Sequence, residues 1–246
     1  EHFGLSEQAV RSALSRMSQQ GYLQFKKAGN KSYYSLTPSG QELLEEGARR
    51  IFQRRTGPWD GKWQILVYSI PEARRDLRER LRRELGWLGY GNLANATWIS
   101  PHDMRREVEK LVNALGVKPY VELFTAQYLG YTNPRAIAER IWDLGSVNLR
   151  YASFIAKYRP LYFDHCLRLA NGQPIEDSEC FVQRFMLIHE YRKFPYIDPE
   201  LPPELLPPSW LGGEATHTFQ EYHQVLGDKA IAFFDSVFEK SPDNGG

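Results

Sequence analysis

The spacing of apolar residues changes twice within the first fifty residues, and this limits the possible folds most strongly. Residues 10–17 place Val, Ala, Leu and Met every three or four positions, which predicts an amphipathic helix. Residues 23–36 alternate around a Gly-Asn turn, which predicts a β-hairpin, and Pro38 then opens a second helix. The order helix, hairpin, helix predicts a winged helix-turn-helix domain. Because this fold also needs a helix before its turn, and only two residues precede Phe3, we expect the native protein to begin further upstream.

The polar side of the first predicted helix suits a DNA major groove. Its side chains are short or cationic, and Glu7 at the helix start is its one acidic residue. Gln and Arg can bind base edges, while Ser, Arg and the hairpin lysines can reach phosphates. A small αβ domain with a solvated basic hairpin is the alternative that the pattern leaves open. The predicted DNA contacts are Ser6, Gln8, Arg11, Ser12, Ser15, Arg16, Lys26, Lys27, Lys31 and Tyr33.

The net charge of +1 hides an uneven distribution along the chain. Residues 1–62 carry 10 Lys and Arg against 6 Asp and Glu, and residues 63–128 carry 10 against 8. Residues 129–246 are acidic, with 11 against 16. This asymmetry predicts that the N-terminal part meets a polyanion and that the C-terminal part does not.

The composition is that of an ordinary globular protein, with 42% hydrophobic and 25% charged residues. Unbroken apolar stretches are only a few residues long, and the first residues do not form a secretory signal. Cys166 and Cys180 are too few for a disulfide framework and are not paired as CxxC. We therefore expect a cytoplasmic protein that makes no contact with a membrane.

The middle of the chain predicts a small sheet with two helices. Residues 62–70 form the strongest predicted strand, and Pro71 ends it. The elements that follow give the order βαββαβ, which is the ferredoxin-like arrangement. Small CRISPR-associated metal-dependent nucleases share this layout, and their metal site uses an Asp at the end of the first strand. Ser69 lies there in this chain, and a hydroxyl cannot replace that carboxylate, so we predict no nuclease activity.

The remainder is mostly helical in its spacing, with predicted helices from Asn133, at residues 148–162 and 175–191, and at residues 214–238. A proline-rich apolar segment at residues 194–210 is predicted to lie as an extended strap. Walker, GxGxxG, GxSxG and HExxH motifs are absent from the sequence, which argues against an enzyme. The predicted class is α+β, with a winged helix-turn-helix domain at 1–56, a ferredoxin-like domain at 57–130 and a helical domain for effector binding and dimerisation at 131–246.

Three separate motifs give the chain a family resemblance. Residues 4–17 (GLSEQAVRSALSRM) and 33–40 (YYSLTPSG) resemble the N-terminal module of the PaaX family. Residues 59–63 (WDGKW) resemble the start of its central domain, and residues 189–195 (HEYRKFP) resemble its C-terminal signature. The resemblance implies a homodimeric repressor of bacterial phenylacetic acid degradation operons. It also implies that phenylacetyl-CoA, acting as a regulatory ligand and not as a cofactor, releases the protein from double-stranded operator DNA.

Two other functions stay open beside this one. The C-terminal part could process acyl-CoA as an enzyme, or the chain could be a DNA-binding scaffold that needs no effector. For an effector site, phosphates suit Arg or Lys and a phenyl group suits an aromatic pocket. Two stretches, 150–159 and 189–194, interleave such residues, although their cations could instead stabilise helix C-termini. The predicted effector contacts are Arg150, Phe154, Lys157, Tyr158, Arg192 and Lys193.

Overall fold

The computed structural model of the protein describes residues 3–54 and 57–238. It confirms the α+β class, with helices predominating over two small antiparallel sheets. The chain forms two compact units. Of the described residues, the first unit comprises 3–53, 153–192 and 214–238, and the second comprises 54, 57–152 and 193–213. Within the described ranges, no helix is long and apolar enough to cross a membrane.

The first unit begins with the predicted helix, hairpin and helix. These are α1 (Glu7–Gln19), the paired strands β1 (Leu23–Ala28) and β2 (Lys31–Leu36), and α2 (Pro38–Phe52). Gly29 adopts a φ of 58°, which the two-residue hairpin turn favours and which only glycine adopts freely. The side chain of Thr37 caps α2 by accepting a hydrogen bond from the amide of Gly40 at 3.1 Å. The prediction of these four elements is confirmed.

The rest of the first unit is helical. Its elements are the C-terminal part of α6 (Leu144–Ala170), together with α7 (Asp177–Tyr191), most of α8 (Gly212–Val225) and α9 (Gly227–Val237). The prediction of a single helix at 214–238 is wrong, because the chain turns at Leu226. Gly227 begins α9, and because glycine is unfavourable in a helix interior it favours a break at this point.

The helix predicted at 148–162 is longer at both ends. It starts at Leu144 because Asp143 accepts a hydrogen bond from the amide of Ser146 at 3.1 Å, as an N-cap does. It then continues through Pro160 to Ala170. Proline is unfavourable inside a helix because it has no amide to donate to the carbonyl four residues earlier. Tyr158 and Tyr162, on either side of Pro160, both contact the ring of Tyr222, with centroids 6.5 and 6.2 Å apart.

The second unit contains the sheet predicted for the middle segment. Its strands are β3 (Lys62–Tyr68), β4 (Gly91–Ala94), β5 (Thr97–Ser100) and β6 (Val121–Gln127), in the order β4-β5-β3-β6. The helices α3 (Arg75–Trp87) and α4 (Arg105–Leu115) lie between them in the chain. The glycines at 86–91 suggest a strand that starts at residue 86, but α3 continues to Trp87 and the strand begins only at Gly91.

The two faces of this sheet have separate cores, because successive side chains of a strand point to opposite faces. On one face, Leu66 of β3 packs with Leu81 of α3 and Val108 of α4. On the other face, Trp63 packs with residues of α5 (Pro134–Ile141) and of the proline-rich segment, including Leu205. The central strand is therefore buried on both sides.

The proline-rich segment is less extended than its composition predicts. It contains two short 3-10 turns, at Phe194–Tyr196 and Pro203–Leu205. Leu201 and Leu205 are buried in the core that contains Trp63. The segment is thus packed structure, as expected for apolar residues, but it is not one continuous extended strap.

Candidate nucleic-acid interface and effector residues

Helix α1 exposes the polar side chains that the sequence singles out. Ser6 is its N-cap, and the Oγ atom of Ser6 accepts a hydrogen bond from the amide of Ala9 at 3.2 Å. At 100° per residue, the remaining predicted contacts lie on one side of the helix. All of them are exposed to solvent: Gln8, Arg11, Ser12, Ser15 and Arg16.

Arg11 is held on the surface by an ion pair with Glu7, one helical turn earlier. Both side chains are more than three-quarters exposed, so the pair is screened by water and contributes little to stability. A phosphate or a guanine edge can therefore compete for the guanidinium at small cost. The opposite side of α1 is only partly covered, since Val10 and Met17 remain about 40% exposed.

The hairpin divides its side chains between two faces. Lys26 lies directly opposite Tyr33, and Lys31 follows on the same face. The other face carries Lys27 beside the pair Phe25 and Tyr34, whose ring centroids are 6.0 Å apart. The structure therefore brings Lys26, Lys31 and Tyr33 together and places Lys27 on the reverse side of the tip.

The predicted effector residues of α6 do not form an open site. Phe154 and Tyr158 are buried, with ring centroids 4.7 Å apart, and the Tyr158 hydroxyl donates a hydrogen bond to the carbonyl oxygen of Met186 at 3.1 Å. Burial, and then the charge of Glu190, raises the pKa of Tyr158 well above its usual range. An acyl ligand would reach these rings only if neighbouring side chains moved.

The predicted cations are distributed over the surface. Lys157 forms an ion pair with Glu190 and lies 5.0 Å from the centroid of the Tyr158 ring. Arg192 ends α7 and contacts the Nδ1 atom of His189 at 3.4 Å. Arg150 and Lys193 are exposed. Lys157 thus lies beside one predicted aromatic residue, while the role of this set in binding an effector stays a prediction.

The second unit contains a buried ion pair that the sequence does not predict. Arg54 pairs with Asp198, whose side chain is only 2% exposed, and approaches Glu200 at 3.5 Å. The Tyr151 hydroxyl also donates a hydrogen bond to Asp198 at 2.6 Å. A carboxylate within an apolar proline-rich segment signals such a partner, because a buried charge requires one. Its identity was not predictable, since Arg54 is 144 positions away.

The described residues hold no group of three or more His, Cys, Asp or Glu side chains that could bind a metal ion. Asp103, at the start of α4, is an exposed carboxylate whose pKa lies at about 2 because Arg105 donates hydrogen bonds to it. It is therefore a surface ion pair, and its lowered pKa does not indicate a proton-transfer site.

Comparison with known proteins covers almost the whole chain. The family model of a PaaX-like protein matches residues 1–40, that of the PaaX protein central Cas2-like domain matches residues 56–138, and that of the PaaX-like protein C-terminal domain matches residues 142–236. The transcriptional repressor PaaX of Escherichia coli (strain K12) is 32% identical over 244 residues, which are 98% of this chain and 76% of that protein.

A solved structure shares the fold. The uncharacterized protein Rv0674 from Mycobacterium tuberculosis matches with a TM-score of 0.60 at 20% identity, over 94% of this chain and 86% of that one. At this identity the likeness concerns the fold alone. The three family matches and the curated relative agree with the resemblance of the sequence motifs, and the chain belongs to the PaaX family.

Proposed function

We propose that this chain is a DNA-binding transcriptional repressor of genes for phenylacetic acid and related aromatic catabolism. The observation that carries the proposal is its 32% identity, over 98% of its length, to the Escherichia coli transcriptional repressor PaaX. We propose further that phenylacetyl-CoA releases it from its operator, that it works as a homodimer in the cytoplasm, and that it is not an enzyme.

Each part of the chain has its own role in this function. Residues 1–56 form a winged helix-turn-helix domain, which the helix-hairpin-helix order supports. Residues 57–130 form a ferredoxin-like domain, supported by the strand order and by the Cas2-like description of the matching family model. Residues 131–246 form the helical domain for effector binding and dimerisation.

DNA recognition would begin at α1. Arg11 and Arg16 carry the charge, and Gln8 can bind a base edge with both its donor and its acceptor. Ser12 and Ser15 are short, so the backbone of α1 can approach the groove closely. Lys26 and Lys31, on the same face of the hairpin, would contact phosphates beside the groove.

The first test substitutes Arg11. We expect Arg11→Ala to weaken operator binding by about 1–3 kcal/mol per site and to relax sequence preference at one base pair. Arg50→Ala is the matched control, because Arg50 forms the same i,i+4 ion pair with Glu46 on α2 and is not a predicted contact. Fluorescence anisotropy with operator and scrambled DNA measures both. Equal operator affinities of the parent and Arg11→Ala would show that α1 is not the helix that contacts the bases.

The hairpin lysines should behave differently from Arg11. Replacing Lys26 and Lys31 by Gln should weaken binding to operator and scrambled DNA alike, and should lower the dependence of the affinity on salt. A loss of sequence preference without a change of salt dependence would contradict their assignment to phosphates.

The other two functions make distinct predictions. An acyl-CoA-processing enzyme would release free CoA from phenylacetyl-CoA, which a thiol reagent detects. A scaffold without an effector would give no heat with phenylacetyl-CoA in calorimetry and would stay bound to its operator. The proposed repressor should bind phenylacetyl-CoA intact and leave the operator.

A further inference from the structure

The guanidinium of Arg54 is bound by three side chains at the point where the chain enters the second unit. It forms an ion pair with Asp198, and its Nε atom lies 3.5 Å from a carboxylate oxygen of Glu200. It also donates a hydrogen bond to the hydroxyl of Tyr151 at 3.2 Å. All four residues belong to the second unit, and they are here called the Arg54 cluster.

Within this cluster, Asp198 is a buried charge, with only 2% of its side chain exposed. Its carboxylate accepts hydrogen bonds from Arg54, from the Tyr151 hydroxyl at 2.6 Å and from the amide of Glu200 at 2.8 Å. Removing one partner of a buried ion pair is costly, because the remaining charge is left without water or an opposite charge. The contact between Arg54 and Asp198 therefore resists opening, unlike the exposed ion pairs on α1 and α2.

The two carboxylates of the cluster lie on a firmly held part of the proline-rich segment. Glu200 adopts a φ of 53°, and a residue with a side chain keeps this left-handed conformation only where its surroundings hold it. Its carbonyl oxygen lies 2.8 Å from the Nε2 atom of His102, and the next residue, Leu201, is buried in the core that contains Trp63. Arg54 is thus bound to the core of the second unit and not to a free loop.

Tyr151 connects the cluster to helix α6, which carries four of the six predicted effector residues. One of them, Arg150, directly precedes Tyr151 in the chain. The Tyr151 ring is fully buried and stacks on Phe194, with ring centroids 4.1 Å apart. A ligand that moves this part of α6 would therefore move the hydroxyl that Arg54 and Asp198 share.

We infer that Arg54 is a positioning residue through which the effector domain controls the DNA-binding domain, and this inference rests on the effector release of the proposed function. In the proposed division of the chain, Arg54 belongs to the DNA-binding domain, and its three partners belong to the effector domain. Helix α2 ends at Phe52, so its backbone ends within about 7 Å of the backbone of Arg54. An effector that rearranges the cluster therefore frees the end of α2 and changes how the DNA-binding elements are held.

The experiment measures the affinity of the protein for operator DNA with and without saturating phenylacetyl-CoA, by fluorescence anisotropy. The ratio of the two affinities is the coupling factor, which should be about tenfold or more in the parent. In Arg54→Gln this factor should fall to about 1, because the amide cannot hold the cluster together. Operator binding without phenylacetyl-CoA, and phenylacetyl-CoA binding without DNA, should both stay within about threefold of the parent.

Two further variants distinguish the geometry of the guanidinium from its charge. Arg54→Lys keeps the charge, but an ammonium group does not present its donors in the fixed fork of a guanidinium, so an intermediate coupling factor is expected. Arg50→Gln is the matched control, because Arg50 pairs with Glu46 on the exposed surface of α2. It should keep the coupling factor of the parent.

Circular dichroism identifies any variant that fails to fold, and Tyr151→Phe then takes the place of Arg54→Gln. This substitution retains the buried ring and removes only the hydroxyl that lies between Arg54 and Asp198. It should lower the coupling factor by about fivefold, the change expected for the loss of one hydrogen bond.

The outcomes separate this inference from the proposed function. A folded Arg54→Gln variant with the coupling factor of the parent would overturn the inference and leave repression and release in place. Loss of operator binding without phenylacetyl-CoA, or loss of phenylacetyl-CoA binding itself, would also overturn it, because Arg54 would then support one of the two sites directly. A parent whose operator affinity does not change with phenylacetyl-CoA would overturn effector release, and the inference with it.

Discussion

His223 of α8 lies among aromatic rings and beside a guanidinium group. Its Nε2 atom accepts a hydrogen bond from the Nε atom of Arg184 at 3.1 Å. The rings of Phe52 and Phe219 lie 5.3 and 5.6 Å from the imidazole centroid. Burial, and then the charge of Arg184, lowers the pKa of His223 from 6.5 to about 4. The folded protein therefore holds this imidazole neutral.

This lowered pKa predicts a pH dependence of stability. Above pH 6.5 the imidazole is neutral in both states, and its contribution is fully present. As the pH falls from 6.5 towards 4, only the unfolded chain takes up the proton, so stability is lost. The loss between pH 7 and 5 should be about 1 kcal/mol, after allowance for partial solvent screening. Urea unfolding of the parent and of His223→Gln at both pH values measures it. An equal pH dependence in the two proteins would exclude His223 as the source.

Within helix α2, replacing either of two glycines by alanine should change the stability of the protein, but in opposite directions. A Cβ atom on Gly40 would lie 2.1 Å from the carbonyl oxygen of Tyr22, which is backbone and cannot move away easily. Gly47 has no neighbouring atom within 4 Å of such a Cβ. We expect Gly40→Ala to destabilise the protein by several kcal/mol, since it separates α2 from the start of the hairpin. Gly47→Ala should stabilise α2 by about 0.5–1 kcal/mol. Urea unfolding should rank the parent between the two variants, and any other order would contradict this account.

The same elements show how far the sequence predicts this fold. The hairpin and α2 follow from local signals, namely the Gly-Asn turn and the Thr37-Pro38 start, so they are predictable. The break before Gly227 has only a weak local signal, because a single glycine inside an apolar helical pattern is tolerated as often as it ends the helix. Of the candidate site, the exposed face of α1 follows from helical spacing. The burial of Phe154 and Tyr158 does not follow from it, because the sequence pattern of an aromatic residue in a helix is the same whether it lines a ligand pocket or packs in a core.

Across the whole molecule, the proposed function requires that ligand binding be coupled to DNA release. An effector can shift this equilibrium only by as much as its affinities for the two states of the protein differ. By reciprocity, operator DNA must weaken effector binding by the same factor. Calorimetric titration of phenylacetyl-CoA, with and without operator DNA, would measure that factor directly.

Lys157 and Arg192 are the two cations expected to hold the phosphates of phenylacetyl-CoA. Lys157 and Arg192 are more than thirty positions apart and neither belongs to the proposed DNA-binding elements, so replacing both by Ala should leave operator affinity unchanged. Release by phenylacetyl-CoA should be lost. Without the phosphate contacts, the ligand no longer binds the DNA-free state more tightly than the DNA-bound state. Arg159→Ala is the control, since Arg159 lies on the same helix and is bound in a comparable exposed ion pair, with Glu214. Anisotropy of labelled operator DNA, titrated with phenylacetyl-CoA, gives both quantities. If the double variant is released at the same ligand concentration as the parent, the effector binds elsewhere.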